Sequence, residues 1–348
     1  TLGVTNTIYV QGVMALAGVG IVIGSILAAK YSRYQINKGL SVIGAMGITI
    51  IVLSIPFINS MLFIAIIFTL FGILSGFILV PLNANIQHLA SRIHLGTIIA
   101  ANNFIQNIFM FSFLVLTTIF AYFGMNAEVL FYLMGLVGIY LIYLLYRRYD
   151  VDLFWTIMEL FGSLRHRYIY HGLENISDNK AILLLGNHVS WLDWIIIQLP
   201  LQRRINYMMD KDIYNWKFFH AIFKKGETIP ISSLGFKDAF KEAHARLKKG
   251  HIVGIFPEGK ISTDGELGEF KKGYELIAND FNGVIVPFYI GNGIFGSSFS
   301  KYKPKNAKIH LFKRRVINIY FGKPAKTMVS SDELKETILK MRKKYEAQ

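Results

Sequence analysis

Five long apolar stretches fill the first 150 residues, near 8–29, 40–58, 61–85, 96–123 and 128–146. A helix needs roughly 20 residues to cross a hydrocarbon core, so each stretch predicts a membrane-spanning helix. Beyond them the pattern changes. Over 150–168, Val151, Phe154, Trp155, Met158, Phe161 and Leu164 fall at helical spacing, with Asp152, Glu159, Ser163 and Arg167 opposite. That spacing predicts an amphipathic helix. Such a helix either lies in the membrane interface and holds the next domain against the bilayer or packs on its own domain. The span ending just before it favours the interface. From residue 180, short apolar runs alternate with helical patterns. Strands are expected over 181–185, 206–209, 228–231, 251–256, 284–290, 308–311 and 315–321, and helices over 190–201, 213–224, 236–249, 271–281 and 331–347. This alternation predicts an α/β domain with a largely parallel central sheet. The chain is therefore expected to be multidomain. An all-α transmembrane bundle covers 1–149, an amphipathic interfacial helix or linker 150–170, and the α/β domain 171–348.

Composition agrees with that division. Of 348 residues, 53% are hydrophobic, and the mean hydropathy of +0.41 is high for an ordinary soluble protein of this length. Residues 1–150 hold six Lys/Arg and two acids, and the remainder holds 31 and 20. Charge along the loops sets an orientation. Lys30, Arg33 and Lys38 follow the first span, Arg92 lies in the third loop, and Arg147 and Arg148 end the last span, whereas the second loop is uncharged and the fourth carries only Glu128. The positive-inside rule then puts everything after Arg148 in the cytoplasm, on an inner membrane. The chain begins at Thr1 with no charged leader before an apolar core. No signal peptide is expected, and the sequence reads as a piece of a longer protein starting just before a span. The absence of cysteine excludes disulfides, thiolate nucleophiles and Cys-based zinc sites. No metal site is expected.

Two kinds of polar residue stand out. Asn83, Asn85, Gln87, Asn102, Asn103, Gln106 and Asn107 lie in or beside apolar stretches. Amides there either line a polar path or hydrogen-bond between helices. In the second part, residues 185–194 read LGNHVSWLDW and residues 255–262 read IFPEGKIS, each just after a predicted strand. Loops beyond strand ends in such sheets carry chemistry. An imidazole at His188 can take a proton from an alcohol as it attacks a thioester, and Asp193 can hold that ring. Equally, Ser190 and Asp193 are spaced as a helix capping box. At the second loop, Gly259 permits a tight turn and Lys260 offers a charge to a phosphate. A plain surface turn explains both as well.

The order of motifs is more specific than either alone. NHVSWLD, IFPEGKIS, GEFKKG (268–273) and VPF (286–288) resemble, in order and spacing, the four blocks of the glycerolipid acyltransferase family that contains the 1-acylglycerol-3-phosphate acyltransferases. The resemblance implies that His188 is the general base and Asp193 its partner. It also implies that Asn187, Ser190, Glu258, Gly259, Lys260 and Ser262 bind substrate. The acyl group would come from acyl carrier protein or acyl-CoA as co-substrate, with no cofactor, and the acceptor would be a lysophospholipid. Two departures are visible. Many members read FPEGTRS, with arginine where this chain has Ile261, and many carry an arginine in a block where this chain reads GETIPIS (226–232). Both resemble the branch that reacylates 2-acyl-glycerophosphoethanolamine. GSILAAKYSRYQINKG (24–39) and PLNANIQHLASRIHLGTIIAANNFIQN (81–107) resemble the C-terminal half of a major facilitator lysophospholipid transporter, here incomplete. The rival readings are a lysophosphatidic acid acyltransferase using acyl-CoA, and a lipid transporter with an inactive appendage. The basic residues at 313–315 and 340–344 suit anionic lipid, an acidic carrier protein or a solvated face. Nothing resembles a nucleic-acid module.

Overall fold

The computed structural model describes residues 7–177, 179–232, 234–279, 281–295, 297, 299–302, 314–325 and 329–346. The chain forms two compact units, Thr1–Ile157 and Met158–Gln348.

The first unit is helical, with α1 (Thr7–Tyr31), α2 (Gly39–Ser54), α3 (Met61–Leu89), α4 (Leu95–Tyr122) and the start of α5 (Ala127–Arg165). All five are long and apolar enough to cross a membrane. Helices α1 and α3 meet backbone to backbone. A Cβ on Gly20 would strike the Thr69 carbonyl, and one on Gly72 the Ala17 carbonyl, so only glycine allows this approach. Asn102 Nδ2 donates to Asn83 Oδ1 at 3.5 Å between α4 and α3, which makes this pair of amides an interhelical contact. Within α5 the backbone of Tyr149 is not helical, with φ −128° and ψ 25°. The amphipathic segment expected from residue 150 is therefore a helix of its own, following the last apolar stretch across a kink and ending at Arg165. Near the kink, Thr156 Oγ1 donates to Asn37 Oδ1, and Lys38 Nζ lies 3.7 Å from Asp152.

The second unit holds a seven-stranded sheet. Its elements are β1 (His166–His171), β2 (Ala181–Gly186), α6 (Asp193–Gln198), β3 (Ile205–Asp210), α7 (Lys211–Tyr214), α8 (His220–Lys225), β4 (Ile229–Ile231), α9 (Phe236–Lys248), β5 (Ile252–Ile255), α10 (Gly273–Ala278), β6 (Gly283–Ile290), β7 (Arg315–Phe321) and α11 (Ser331–Glu346). The strand order is β1-β7-β6-β2-β5-β3-β4. Every pairing is parallel except β6 with β7. Strand β2 is central and buried along its whole length. Ala181, Leu183 and Leu185 face a layer containing Ala243 and Leu247 of α9, Ile277 of α10 and Ile338 of α11. Ile182 and Leu184 face the opposite layer, with Ile196 and Ile197 of α6. A strand covered on both faces reads as an unbroken apolar run, which is why β2 was visible in the sequence.

Three expectations need correcting. Residues 166–170, assigned to the interfacial helix or linker, form with His171 the edge strand β1, paired along its length with β7. Its residues His-Arg-Tyr-Ile-Tyr-His carry no run of aliphatic residues to announce a strand. The helix expected over 190–201 is the short α6, because 187–192 form a loop folded around Asp193. The helix expected over 213–224 is two short helices, α7 and α8, separated by a turn at 215–219. The strand expected over 308–311 and the basic residue Lys313 lie outside the described residues.

Candidate active site

The parallel alignment of β2 with β5, in which Leu185 pairs with Ile255, brings the loops after both strands to one edge of the sheet. Loop 187–192 is fastened at its start by Asn187. The Asn187 side chain accepts from the Ile290 N–H at 2.8 Å and donates to the Ile290 carbonyl at 2.9 Å, copying a strand pairing with the end of β6. The next residue is His188. Its backbone N–H donates to Glu258 Oε1 at 2.9 Å, and its carbonyl accepts from the Ser262 N–H at 2.8 Å. The two motifs, some seventy positions apart, thus hold one another through the main chain.

The ring of His188 is held on two sides. Its Nδ1 lies 2.8 Å from Asp193 Oδ2. The same oxygen accepts from the backbone N–H groups of Val189 at 2.6 Å and Ser190 at 2.9 Å, and Oδ1 accepts from Ser190 Oγ at 2.5 Å. Asp193 and Ser190 are fully buried. A carboxylate already surrounded by donors takes the His188 Nδ1 proton as another, so the network assigns the hydrogen to Nδ1 and leaves the Nε2 lone pair free. The Phe256 ring stacks on the imidazole at 4.2 Å and 17°, and Tyr207 stacks on Phe256 at 6.1 Å and 7°. The contacts of a capping box are present as well. Asp193 Oδ2 accepts from the Ser190 N–H at 2.9 Å and Ser190 Oγ accepts from the Leu192 N–H at 3.1 Å, ahead of α6, which starts at Asp193, so the acid serves the turn and the ring together.

Glu258 is 4% exposed. Besides the His188 N–H, it accepts from the Gly268 N–H at 3.0 Å, so it ties the 187–192 loop to both ends of the β5–α10 connection. Burial raises its carboxyl above the usual range, against the two backbone N–H groups that favour the charged form. A raised acid binds its proton in the fold at pH values where the unfolded chain has lost it. Its contribution to stability is therefore complete below the ordinary value of 4.5 and declines as pH rises through the folded one. Glu258→Gln is expected to flatten the fall in melting temperature as pH rises above the ordinary carboxyl value of 4.5. An unchanged slope would sink this assignment. The overall melting temperature drops as well, since Gln turns an NH₂ toward one of the two donors.

A cavity of about 1660 Å³ opens at this edge, and His188, Gly259 and Lys260 all line it. Gly259 has φ +63°, the left-handed region that favours glycine, and a Cβ there would touch only the movable end of the Lys271 side chain. The other residues expected to bind substrate do not line the cavity. Asn187, Ser190, Glu258 and Ser262 are all buried and bonded within the protein. Ser262 Oγ serves its own turn, donating toward Asp264 and Glu266 and accepting from the Gly265 N–H. Their geometry makes them positioning residues. The sequence reading missed Lys271, Lys301, Arg165 and Arg315, which line the same cavity, and the aromatic wall of Trp191, Trp194, Trp216, Phe219 and Phe223. Lys271 sat in a recognised block, GEFKKG, without an assigned role. Arg165 and Arg315 arrive because the starts of β1 and β7, the latter antiparallel to β6, lie at the same sheet edge as the ends of the other strands. Among the described residues no cluster of His, Asp and Glu side chains could hold a metal ion.

A buried acid, an oriented imidazole, flanking lysines and a large apolar cavity suit proton abstraction from a hydroxyl on an amphiphile with an anionic head. Part of the chain is similar to known proteins. The acyltransferase family model matches residues 167–291. A chloroplast 1-acyl-sn-glycerol-3-phosphate acyltransferase of Arabidopsis thaliana is 33% identical over 121 residues, 33% of each chain. The 1-acyl-sn-glycerol-3-phosphate acyltransferase of Bacillus subtilis is 27% identical over 165 residues, 47% of this chain and 75% of its own. The chain thus spans only about a third of the length of the Arabidopsis relative. The crystal structure of the 1-acyl-sn-glycerophosphate (LPA) acyltransferase PlsC from Thermotoga maritima aligns with a TM-score of 0.44 and 21% identity, over 57% of this chain and 80% of that one. The stretch 167–291, which carries His188, Asp193 and the 256–262 loop, is an acyltransferase domain.

Proposed function

We propose that the chain transfers a fatty acyl group from an acyl thioester to the free hydroxyl of a lysophospholipid. The observation that carries this reading is the His188–Asp193 pair, 2.8 Å apart, in a cavity shared with Lys260 and Lys271. The acceptor hydroxyl gives its proton to Nε2 of His188 as its oxygen attacks the thioester carbonyl. The tetrahedral intermediate collapses to the new ester, the carbon–sulfur bond breaks, and the imidazolium returns the proton to the departing thiolate. Asp193 fixes the ring and stabilises its charged form, while Lys260 and Lys271 hold the acceptor phosphate. No metal or redox step enters, and acyl carrier protein or CoA bears the acyl group. The expected setting is an inner membrane, with this unit on the cytoplasmic side.

The acceptor favoured by Ile261 and by the arginine-free 226–232 segment is 2-acyl-glycerophosphoethanolamine, whose zwitterionic head needs less positive charge than a phosphomonoester. The names of the relatives favour a second acceptor, 1-acyl-sn-glycerol-3-phosphate (lysophosphatidic acid), which the rival reading pairs with acyl-CoA. Incubating the purified chain with a panel of lysolipids and both donors, then identifying products by mass spectrometry, separates the two. An inactive appendage on a lipid transporter predicts no product from any pair. The five apolar helices are then the incomplete second half of a major facilitator fold, which a flipping assay on the longer parent tests. Lys260→Ala is expected to raise the lysolipid KM about tenfold or more, the loss of one charged contact worth about 1.5–3 kcal/mol, with the donor KM unchanged. A change confined to the donor would reverse the phosphate assignment.

A further inference from the structure

The Phe256 ring lies face to face with the His188 imidazole, with centroids 4.2 Å apart and an angle of 17° between planes. Two rings from neighbouring strands brace Phe256 in turn. Tyr207 of β3 lies parallel to it at 6.1 Å and 7°, and Phe288 of β6 meets it edge-on at 5.9 Å and 90°. Both bracing residues are buried. Phe256 lines the cavity with His188, whereas Tyr207 and Phe288 do not. Room for the Tyr207 ring comes from Gly254, its register partner on β5, where a Cβ would strike that ring at 2.7 Å. The Tyr207 hydroxyl is buried with no hydrogen-bond partner among the described residues. A buried unpaired hydroxyl is unfavourable, so the ring, and not the hydroxyl, is what this position contributes.

We propose that Phe256 is a positioning residue of the reaction. Its braced ring fixes the plane of the His188 imidazole and stabilises the imidazolium as it forms. The bond from Nδ1 to Asp193 holds one edge of the imidazole but does not by itself set the plane of the ring. A face contact does, and it keeps Nε2 turned toward the acceptor hydroxyl, where misplacement costs rate. An aromatic face also attracts a cation within about 6 Å of its centroid. The contact is therefore stronger once the imidazole has taken the proton, and an interaction that strengthens along the reaction raises kcat rather than affinity. The proposal rests on the reading of His188 as general base in acyl transfer.

The test measures kcat, both KM values and the melting temperature on the full chain in detergent micelles. Oleoyl-CoA or oleoyl-acyl carrier protein is the donor, and lysophosphatidic acid or 2-acyl-glycerophosphoethanolamine the acceptor, in whichever pair the parent turns over fastest. Phe256→Leu keeps the bulk but not the flat face. It is expected to lower kcat about tenfold, with both KM values within about twofold of the parent. Phe256→Tyr restores the face and is expected to recover most of that loss. Because the ring acts through the imidazole, Phe256→Leu is expected to cost nothing further in the His188→Ala background. A raised KM with kcat kept, or losses that multiply with that of His188→Ala, overturns the proposal and makes Phe256 a plain wall of the cavity. Should Phe256→Leu fail to fold, Tyr207→Leu and Tyr207→Phe read the same contact from outside the cavity. A lower kcat in the first that recovers in the second supports the stack, and equal values overturn it. An active parent with an unaffected Phe256→Leu removes this inference alone. A parent inactive on every pair removes the enzyme reading and the inference with it.

Discussion

His188→Ala is expected to lower acyl transfer by a factor of about 10²–10⁴, the usual contribution of a positioned general base, with secondary structure and melting behaviour close to those of the parent. The fold depends little on this ring. The backbone N–H and carbonyl of His188 make the contacts to Glu258 and Ser262, and alanine keeps both. The ring is only partly buried, with 19% of its side chain exposed. Turnover and circular dichroism measured on the same preparation separate chemistry from folding. Near-normal turnover would remove the mechanism, since among the described residues no other imidazole lines the cavity beside the 256–262 loop; the other histidine among them that lines it, His166, opens β1 at the sheet edge.

Replacing Asp193 has a second and different consequence, because this acid serves both the fold and the chemistry. Asp193→Ala leaves the N–H groups of Val189 and Ser190, the Ser190 hydroxyl and the His188 Nδ1 without their acceptor. Each orphaned buried donor costs about 1–3 kcal/mol, a large share of a typical total of about 5–15 kcal/mol. A marked drop in melting temperature is expected together with loss of turnover. Asp193→Asn retains the shape, so more of the fold survives. Its turnover is still expected to fall by about 10²–10⁴, because an amide neither fixes the Nδ1-protonated tautomer nor stabilises the imidazolium. The pair acts as a unit, so the His188→Ala/Asp193→Asn double variant is expected to turn over no more slowly than His188→Ala alone. Multiplying losses would show that Asp193 acts elsewhere.

Much of this site could be read from local sequence. The residues that carry chemistry come directly after buried strands, and β2 and β5 are short aliphatic runs of the kind that only a sheet interior uses. His188 and Glu258 were therefore legible as neighbours. Their roles were less so. Asn187, Ser190, Glu258 and Ser262 are polar residues inside motifs, and the sequence alone does not distinguish a side chain facing substrate from one bonded to a backbone N–H. The geometry does, because each has its partners within the protein. Arg165 was not legible, and Arg315 was legible only as part of a basic run, not as a cavity residue. They reach the cavity only because β7 runs antiparallel to β6 and β1 lies alongside β7, a pairing between segments about 150 residues apart.

The sequence by itself determined the order of the parts. Five apolar stretches precede an alternating α/β pattern, and hydrophobic periodicity is a local property that burial imposes on each element separately. It also determined that His188 and Asp193 meet, since an imidazole and a carboxylate five positions apart across one short turn need no distant partner. The tertiary structure alone decided which polar groups face the cavity, that 166–171 is a strand, and that the 215–219 turn presents aromatic rings beside Trp191. Those outcomes depend on strand order and on hydrogen bonds between segments far apart in the chain, and no local pattern encodes such contacts.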